Sequence, residues 1–356
     1  MTVTVLDGGM GHLLQRLGVE IKGELGSTQR FLGVSLANRD QSELVVQAHR
    51  SYLAVGSTVI TTNSYSCVPR CLSRCPHHHD GTDSTTLSST QSLVADLITL
   101  SVSLAKRAIA EHGNRARCAG CVPPLGHSYK TDADSAPTWP EMERDYATIV
   151  NCLVKNEVDI LLVETMASVN QASCAARACM QADCPSIPVW VAFTIVEEDS
   201  GSCSTSALLA DSGDDKESVR HTPRLRSGET LSEAAAKMFE LFFGRENTGA
   251  PLGALIVNCS APSALAMAIE ELKEERASAA LRFRGRGVEA VEIGCSPNAF
   301  AQHTEAYDGA LTPALFAKES LQWRSAGATI LGGCCGIFPE HIHALVESVE
   351  TSNPEP

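Results

Sequence analysis

Eight short apolar runs alternate with eight longer stretches of helical periodicity, and this alternation leaves few folds open. The runs are Val3–Leu6, Thr58–Thr62, Arg117–Val122, Ile160–Glu164, Val189–Thr194, Ala254–Asn258, Val288–Ile293 and Thr329–Gly332. They are apolar on both faces, as strands are when they lie between a barrel interior and a helical layer. The helical stretches are Ser42–Val55, Ser92–His112, Trp139–Asn156, Val169–Ala182, Thr230–Phe243, Pro262–Ala277, Pro313–Ser325 and Pro339–Val349. A strand followed by a helix, repeated, reads as a parallel α/β fold. The length of 356 residues suits a closed (β/α)8 TIM barrel, about 250 residues plus insertions. A doubly wound open sheet is the alternative, but no Gly-x-Gly-x-x-Gly follows the first run.

Two polar tracts supply the extra length. Pro76–Gln91 carries three histidines and then a Ser/Thr-rich stretch, and Glu197–Gly228 is rich in Ser, Asp and Gly. Both follow a strand, so both are expected to hang as low-complexity loop insertions from the βα-loop side. No internal repeat or second domain is visible, and residues 1–356 read as a single barrel domain.

Charge narrows the function classes. The chain has 28 basic and 42 acidic side chains, a formal net charge of −14. A nucleic-acid backbone binder needs a basic face, and a polybasic membrane-surface protein needs one too. No run of 18 apolar residues is present to span a bilayer. Met1–Asp7 lacks a basic region followed by an apolar one, so no secretory signal is read and the cytoplasm is expected. Thiols stay reduced there, and a cysteine cluster then reads as metal-binding or catalytic rather than bridging. Most of the 14 cysteines are expected to be buried small hydrophobes.

A barrel places its chemistry at the C-terminal ends of its strands. One such end reads Ile256-Val257-Asn258-Cys259-Ser260, and another Ile330-Leu331-Gly332-Gly333-Cys334-Cys335-Gly336. Three thiolates from these ends would suit a borderline cation such as Zn²⁺ and leave a fourth corner open. Adjacent Cys334 and Cys335 both ligate only if the backbone bends sharply, which the flanking glycines allow. Spacing alone leaves three buried core cysteines equally open, because no regular Cys-x-x-Cys is present in the set.

The string Gly332-Gly333-Cys334-Cys335-Gly336-Ile337-Phe338-Pro339-Glu340-His341, with Val257-Asn258-Cys259-Ser260, resembles the homocysteine S-methyltransferase family. So do Leu6-Asp7-Gly8-Gly9-Met10-Gly11, Val59-Ile60-Thr61-Thr62-Asn63-Ser64-Tyr65 and Leu162-Val163-Glu164-Thr165. The blocks stand in the family's order across nearly the whole chain. The resemblance implies a (β/α)8 barrel with one catalytic zinc held by Cys259, Cys334 and Cys335. It implies that Asp7 and Glu164 hold the homocysteine ammonium, a role that paired carboxylates suit through charge-assisted hydrogen bonds. Taken alone, Asp7 also reads as an N-cap and Glu164 as half of a buried ion pair. Backbone N–H groups of Gly8 and Gly9, at the turn into the first helix, suit the substrate carboxylate. Asn258 is expected to orient the adjacent zinc loop.

The implied reaction moves a methyl group from S-methylmethionine, or S-adenosylmethionine, to the zinc-bound homocysteine thiolate and forms methionine. A free thiol near pKa 8.5 is mostly protonated at neutral pH, and zinc corrects that. A sulfonium leaving group departs neutral, which fits the lack of an obvious acid–base dyad. A betaine-type enzyme, a selenocysteine methyltransferase and a non-catalytic homocysteine- or zinc-binding protein are the alternatives. Two departures from the family bear on the donor. Ser296-Pro297-Asn298-Ala299-Phe300 stands where Tyr-Pro-Asn, a small residue and Gly are usual, and Gly336-Ile337 follows the cysteine pair where Arg is frequent. The chain ends 21 residues after Cys335, without the oligomerisation arm of betaine enzymes, so a monomer is expected.

Other candidates read as structural. Cys118 and Cys121 lie three apart in a strand and so face opposite sides. Cys71 and Cys75 with His77, His78 and His79 look like a metal-binding tract but adjoin an insertion. Cys174, Cys179 and Cys184 do not share a ligand face. Tyr65, Tyr129, Trp139 and Phe193 stand near strand ends, where packing is the first reading and donor contact the second.

Overall fold

The computed structural model describes residues 3–21, 28–73, 87–113, 115–126, 137–196, 222–244, 249–299 and 310–352. Its strands are β1 (Thr4–Val5), β2 (Val59–Thr61), β3 (Arg117–Val122), β4 (Ile160–Met166), β5 (Val189–Phe193), β6 (Ile195–Val196), β7 (Arg224–Leu225), β8 (Leu252–Asn258), β9 (Glu292–Ser296) and β10 (Ile330–Leu331). Eight of them form a parallel sheet in the order β1-β10-β9-β8-β5-β4-β3-β2. The two ends of that sheet meet. Thr58 N–H donates to Val5 O at 2.8 Å, and Ser57 Oγ donates to Leu6 O at 3.2 Å. The result is a nearly closed parallel barrel, the α/β class expected.

Side chains alternate between the two faces of each strand. In β4, Leu162 points into the barrel and Leu161 and Val163 point out to the helices. The interior is a separate cluster in which the small Ala119, Ala192 and Ala254 make room for Trp190 beside Ile160, Ile256 and Ile330. The outer layer comprises α1 (Met10–Arg16), α2 (Thr28–Asp40), α3 (Ser42–Ala54), α4 (Pro69–Leu72), α5 (Leu87–His112), α6 (Trp139–Lys155), α7 (Val169–Gln181), α8 (Leu231–Phe243), α9 (Pro262–Arg282), α10 (Pro313–Ala326) and α11 (Pro339–Thr351). Their starts follow local chemistry. Thr230 and Glu233 form a capping box on α8, with Glu233 N–H donating to Thr230 Oγ1 at 3.1 Å and Thr230 N–H to Glu233 Oε2 at 2.8 Å. Helices α9, α10 and α11 open on proline, whose missing N–H costs nothing in a first turn.

Three expectations shift. The run Val288–Ile293 is not one strand: Val288–Ala290 is a 3₁₀ turn entered through left-handed Gly287, and β9 begins at Glu292. Val288 is buried as a plug rather than laddered. Gly294 and Cys295 at the centre of β9 are weak strand formers, which hid it. Residues 87–91 of the first polar tract belong to α5, and Arg224–Leu225 of the second pairs antiparallel with β6. Residues 76–86 and 197–221, with Cys75, His77, His78, His79 and Tyr129, lie outside the described residues. Helix α1 follows Gly8 and Gly9 as expected, whereas α2 and α4 were not expected.

Candidate active site

The strand ends converge on a cavity of about 170 Å³, several times the ~30 Å³ share of one water. Asp7, Thr61, Glu164, Asn258, Cys259, Cys334 and Cys335 all contribute to its wall, with Leu6, Leu162, Ala192 and Ile256 as an apolar floor. Strands far apart in sequence thus bring the expected thiols and carboxylates to one space.

The sulfur atoms of Cys259, Cys334 and Cys335 all lie within 4.8 Å of one another. Cys259 and Cys334 form a disulfide here, with Cα atoms 5.6 Å apart, and Cys335 Sγ is 4.0 Å from Cys259 Sγ. A tetrahedral Zn²⁺ with bonds of about 2.3 Å needs sulfurs about 3.8 Å apart. Reduced, the trio fits such an ion; oxidised, the same sulfurs are taken. Asn258 sits beside them with its Oδ1 buried and without a hydrogen-bond partner. That oxygen is a further polar atom which a bound group would satisfy. Its Nδ2 donates to Thr165 Oγ1 at 2.8 Å, so the side chain of Asn258 ties the end of β8 to β4.

The cysteine backbones are held by the segment after β9. Cys259 has φ +48°, a conformation that side chains other than glycine rarely adopt. Its N–H donates to Ser296 O at 3.0 Å, and its carbonyl accepts from Thr194 Oγ1 and Asn298 Nδ2, both at 3.2 Å. Cys334 N–H donates to Pro297 O, and Ala299 N–H donates to Cys335 O, both at 2.8 Å. Gly336, at φ +77°, turns the chain back into α11. Residues 296–299 therefore grip both cysteine loops through main-chain groups and one amide.

Asp7 follows β1 and is buried. It accepts from Thr61 N–H at 2.8 Å and from Thr61 Oγ1 at 3.2 Å. Glu164 stands at an irregularity in β4, where pairing with β5 shifts between Val163 and Met166 and Thr165 takes φ +56°. Such a bulge re-aims side chains. Glu164 Oε2 accepts from the Cys121 thiol at 2.9 Å. Burial pushes Asp7 up to about 7, opposed by the Thr61 backbone hydrogen bond and aided by the nearby Glu164 charge. Burial raises Glu164 as well, with the Cys121 thiol opposing. Neither carboxylate is ion-paired among the described residues, although two buried acids call for a cation.

Gly8 and Gly9 both line the cavity, but they differ. Gly9 N–H donates to Ile337 O at 2.9 Å and is not available to an anion in this arrangement. A side chain on Gly9 would meet Cys334 O at 2.8 Å, so its bareness lets the first turn press against the cysteine loop. Gly8 N–H and the first-turn amides of Met10 and Gly11 have no carbonyl partner among the described residues. On the α1–α2 side the wall also contains His12, Arg30, Phe31 and Tyr65. Burial, then the Arg30 charge, lowers His12 to about 4. Trp139 and Phe193 pack in the outer layer instead. Sequence reading missed Thr61, Asn298 and Cys121 as partners of the site. Thr61 and Asn298 stood in motif blocks without a role, while Cys121 had been read as packing.

The profile of the homocysteine S-methyltransferase family matches residues 4–349. The chain belongs to this family. Homocysteine S-methyltransferase YbgG of Bacillus subtilis (strain 168) is 22% identical over 355 residues, 96% of this chain and 92% of the relative. Crystal structures of the homocysteine methyltransferase MmuM from Escherichia coli superpose along the whole barrel. The metallated form has a TM-score of 0.66 at 21% identity, covering 97% of this chain and 96% of that one. The oxidized form also has 0.66 at 21% identity, covering 97% and 95%. These likenesses establish the fold. Family membership makes the protein a methyltransferase whose substrates are homocysteine and a methyl donor.

Proposed function

We propose that this homocysteine S-methyltransferase is zinc-dependent and takes its methyl group from a sulfonium donor, S-methylmethionine first and S-adenosylmethionine second, to form methionine. The observation that carries the reading is one cavity holding three clustered thiols and two buried carboxylates that have no ion-pair partner among the described residues. In reduced form Cys259, Cys334 and Cys335 would hold the zinc. When bound, zinc supplies a Lewis-acidic position that favours the thiolate form of an arriving thiol.

The chain's own groups do the rest. Asp7 and Glu164 would receive the substrate ammonium, since a buried carboxylate gains most from a charged donor. Asp7, raised to about 7, gives up its proton as the ammonium arrives. Gly8 N–H, with the Met10 and Gly11 amides, suits the carboxylate of the same amino acid. The apolar floor of Leu6, Leu162 and Ile256 keeps water from beneath the reacting sulfur. No side chain has to protonate a neutral thioether leaving group, and none is needed.

The test is methionine formation by protein reduced with thiol and reloaded with zinc, with homocysteine and either S-methylmethionine, S-adenosylmethionine or betaine, with and without chelator. Chelator-sensitive turnover with a sulfonium supports the proposal. Turnover with betaine alone assigns the other donor class. Transfer only to selenocysteine changes the acceptor, and zinc binding without any turnover leaves a binding protein.

A further inference from the structure

We propose that Cys121 is a positioning residue, which holds Glu164 toward the substrate ammonium by donating its S–H to one carboxylate oxygen. The proposal rests on the ammonium reading above and adds a residue to it. Cys121 is wholly buried on β3, next to Leu162 in the β3–β4 register, and is not one of the clustered thiols. Its sulfur lies 2.9 Å from Glu164 Oε2. Burial and the Glu164 charge keep its pKa well above the ordinary thiol value, so the proton stays on sulfur.

Cys121 is itself anchored. Its N–H donates to Thr62 Oγ1 at 3.0 Å, and Thr62 Oγ1 shares a hydrogen bond of 2.8 Å with Ser64 Oγ. The neighbouring Thr61 makes both bonds to Asp7. Successive residues of an extended chain reach opposite ways, so one Thr61-Thr62 pair serves both carboxylates. Thr61 acts on Asp7 directly, and Thr62 acts on Glu164 through Cys121. With Oε2 held, Oε1 is left for the ligand. A flexible glutamate needs such a support to point reliably.

The test compares Cys121→Val, which keeps bulk and removes the donor, with Cys121→Ser, which keeps a donor. Steady-state kinetics use homocysteine and its deaminated analogue 4-mercaptobutanoate, and calorimetry with homocysteine alone gives binding without a donor present. Cys121→Val is expected to raise the homocysteine KM about tenfold, the scale of one hydrogen bond to a charged group. Its kcat and its KM for 4-mercaptobutanoate should stay at wild-type values, and serine should restore the homocysteine KM. Should valine not fold, Cys121→Ala removes the donor and the same ratio is read. An unchanged homocysteine KM overturns the proposal. So does an equal rise for both thiols, which marks a packing effect, or a serine variant that does not recover. A wild-type protein that neither turns over nor binds homocysteine sinks the functional reading itself, and this proposal with it.

Discussion

The two halves of the cavity are held in different ways. On the thiol side, Pro297 O, Ser296 O and Ala299 N–H fix the cysteine loops through main-chain bonds, and Cys259 is kept left-handed. On the carboxylate side, the side chains of Thr61, Thr62 and Cys121 do most of the holding, beside one main-chain bond from Thr61 N–H to Asp7. Main-chain support survives changes of side chain nearby but not changes of loop length or φ. Side-chain support can be adjusted one residue at a time, in small steps. The thiol half should therefore fail all at once, and the carboxylate half by degrees.

The largest expected effect lies on the thiol side. Cys334→Ala should abolish both bound zinc and turnover, a loss beyond the ~10–100-fold typical of an outer partner. Metal analysis and thermal unfolding check it: zinc near zero with a near-normal unfolding temperature is the expected pair. Next comes Asn298→Ala, which removes a side-chain donor from the Cys259 carbonyl within an otherwise main-chain grip. Zinc affinity is expected to fall about tenfold, read by competition with a chelator. A variant as tight as wild type would show that the main-chain bonds suffice and would sharpen the contrast.

On the carboxylate side, Asp7 gives a pH signature. Its folded pKa of about 7 lies above the ordinary carboxyl value of 3.8. Between those values the unfolded chain has lost a proton that the folded chain keeps, so ligand-free stability falls as pH rises through that window. Homocysteine binding runs the other way and should tighten from pH 6 to pH 8, as the carboxylate becomes ionised for the ammonium. Calorimetry on wild type and Asp7→Asn separates this from other titrations, because the asparagine variant should lose that slope. The smallest effect is Thr61→Val, which removes the hydroxyl bond to Asp7 and leaves the backbone one. A roughly threefold rise in homocysteine KM is expected, about 0.65 kcal/mol and near the low end of the ~0.5–1.5 kcal/mol of one hydrogen bond.

Much of this was legible before the structure. β3 spans Arg117–Val122 as read, and the cysteine trio was placed by motif order across strands far apart in sequence. The misses have physical reasons. β9 was displaced because valine reads as strand even where a 3₁₀ turn buries it, while Gly294 reads as a break. Helix α2 was missed because Phe31, Leu32, Val34, Leu36 and Ala37 crowd its surface without one clean stripe. Cys118 and Cys121 face opposite sides as their spacing requires, Cys118 packing outward. The bond from Cys121 to Glu164 was invisible because it depends on the register that pairs Cys121 with Leu162, and strand pairing leaves no periodicity to read. Asn258, expected to orient the adjacent zinc loop, donates its amide to Thr165, the left-handed residue beside the β4 irregularity.

The seam between β1 and β2 carries one last consequence. Elsewhere, neighbouring strands share a ladder, but this edge of the ring is joined among the described residues by a single main-chain bond, Thr58 to Val5. The Asp7 carboxylate crosses the same seam to Thr61. The acid proposed to receive the substrate is therefore also a rivet in the cylinder. A ligand that draws together Asp7, just after β1, and Glu164 on β4 closes a hoop across its thinnest stave. Substrate should then slow the breathing of the whole barrel, well beyond the residues it touches.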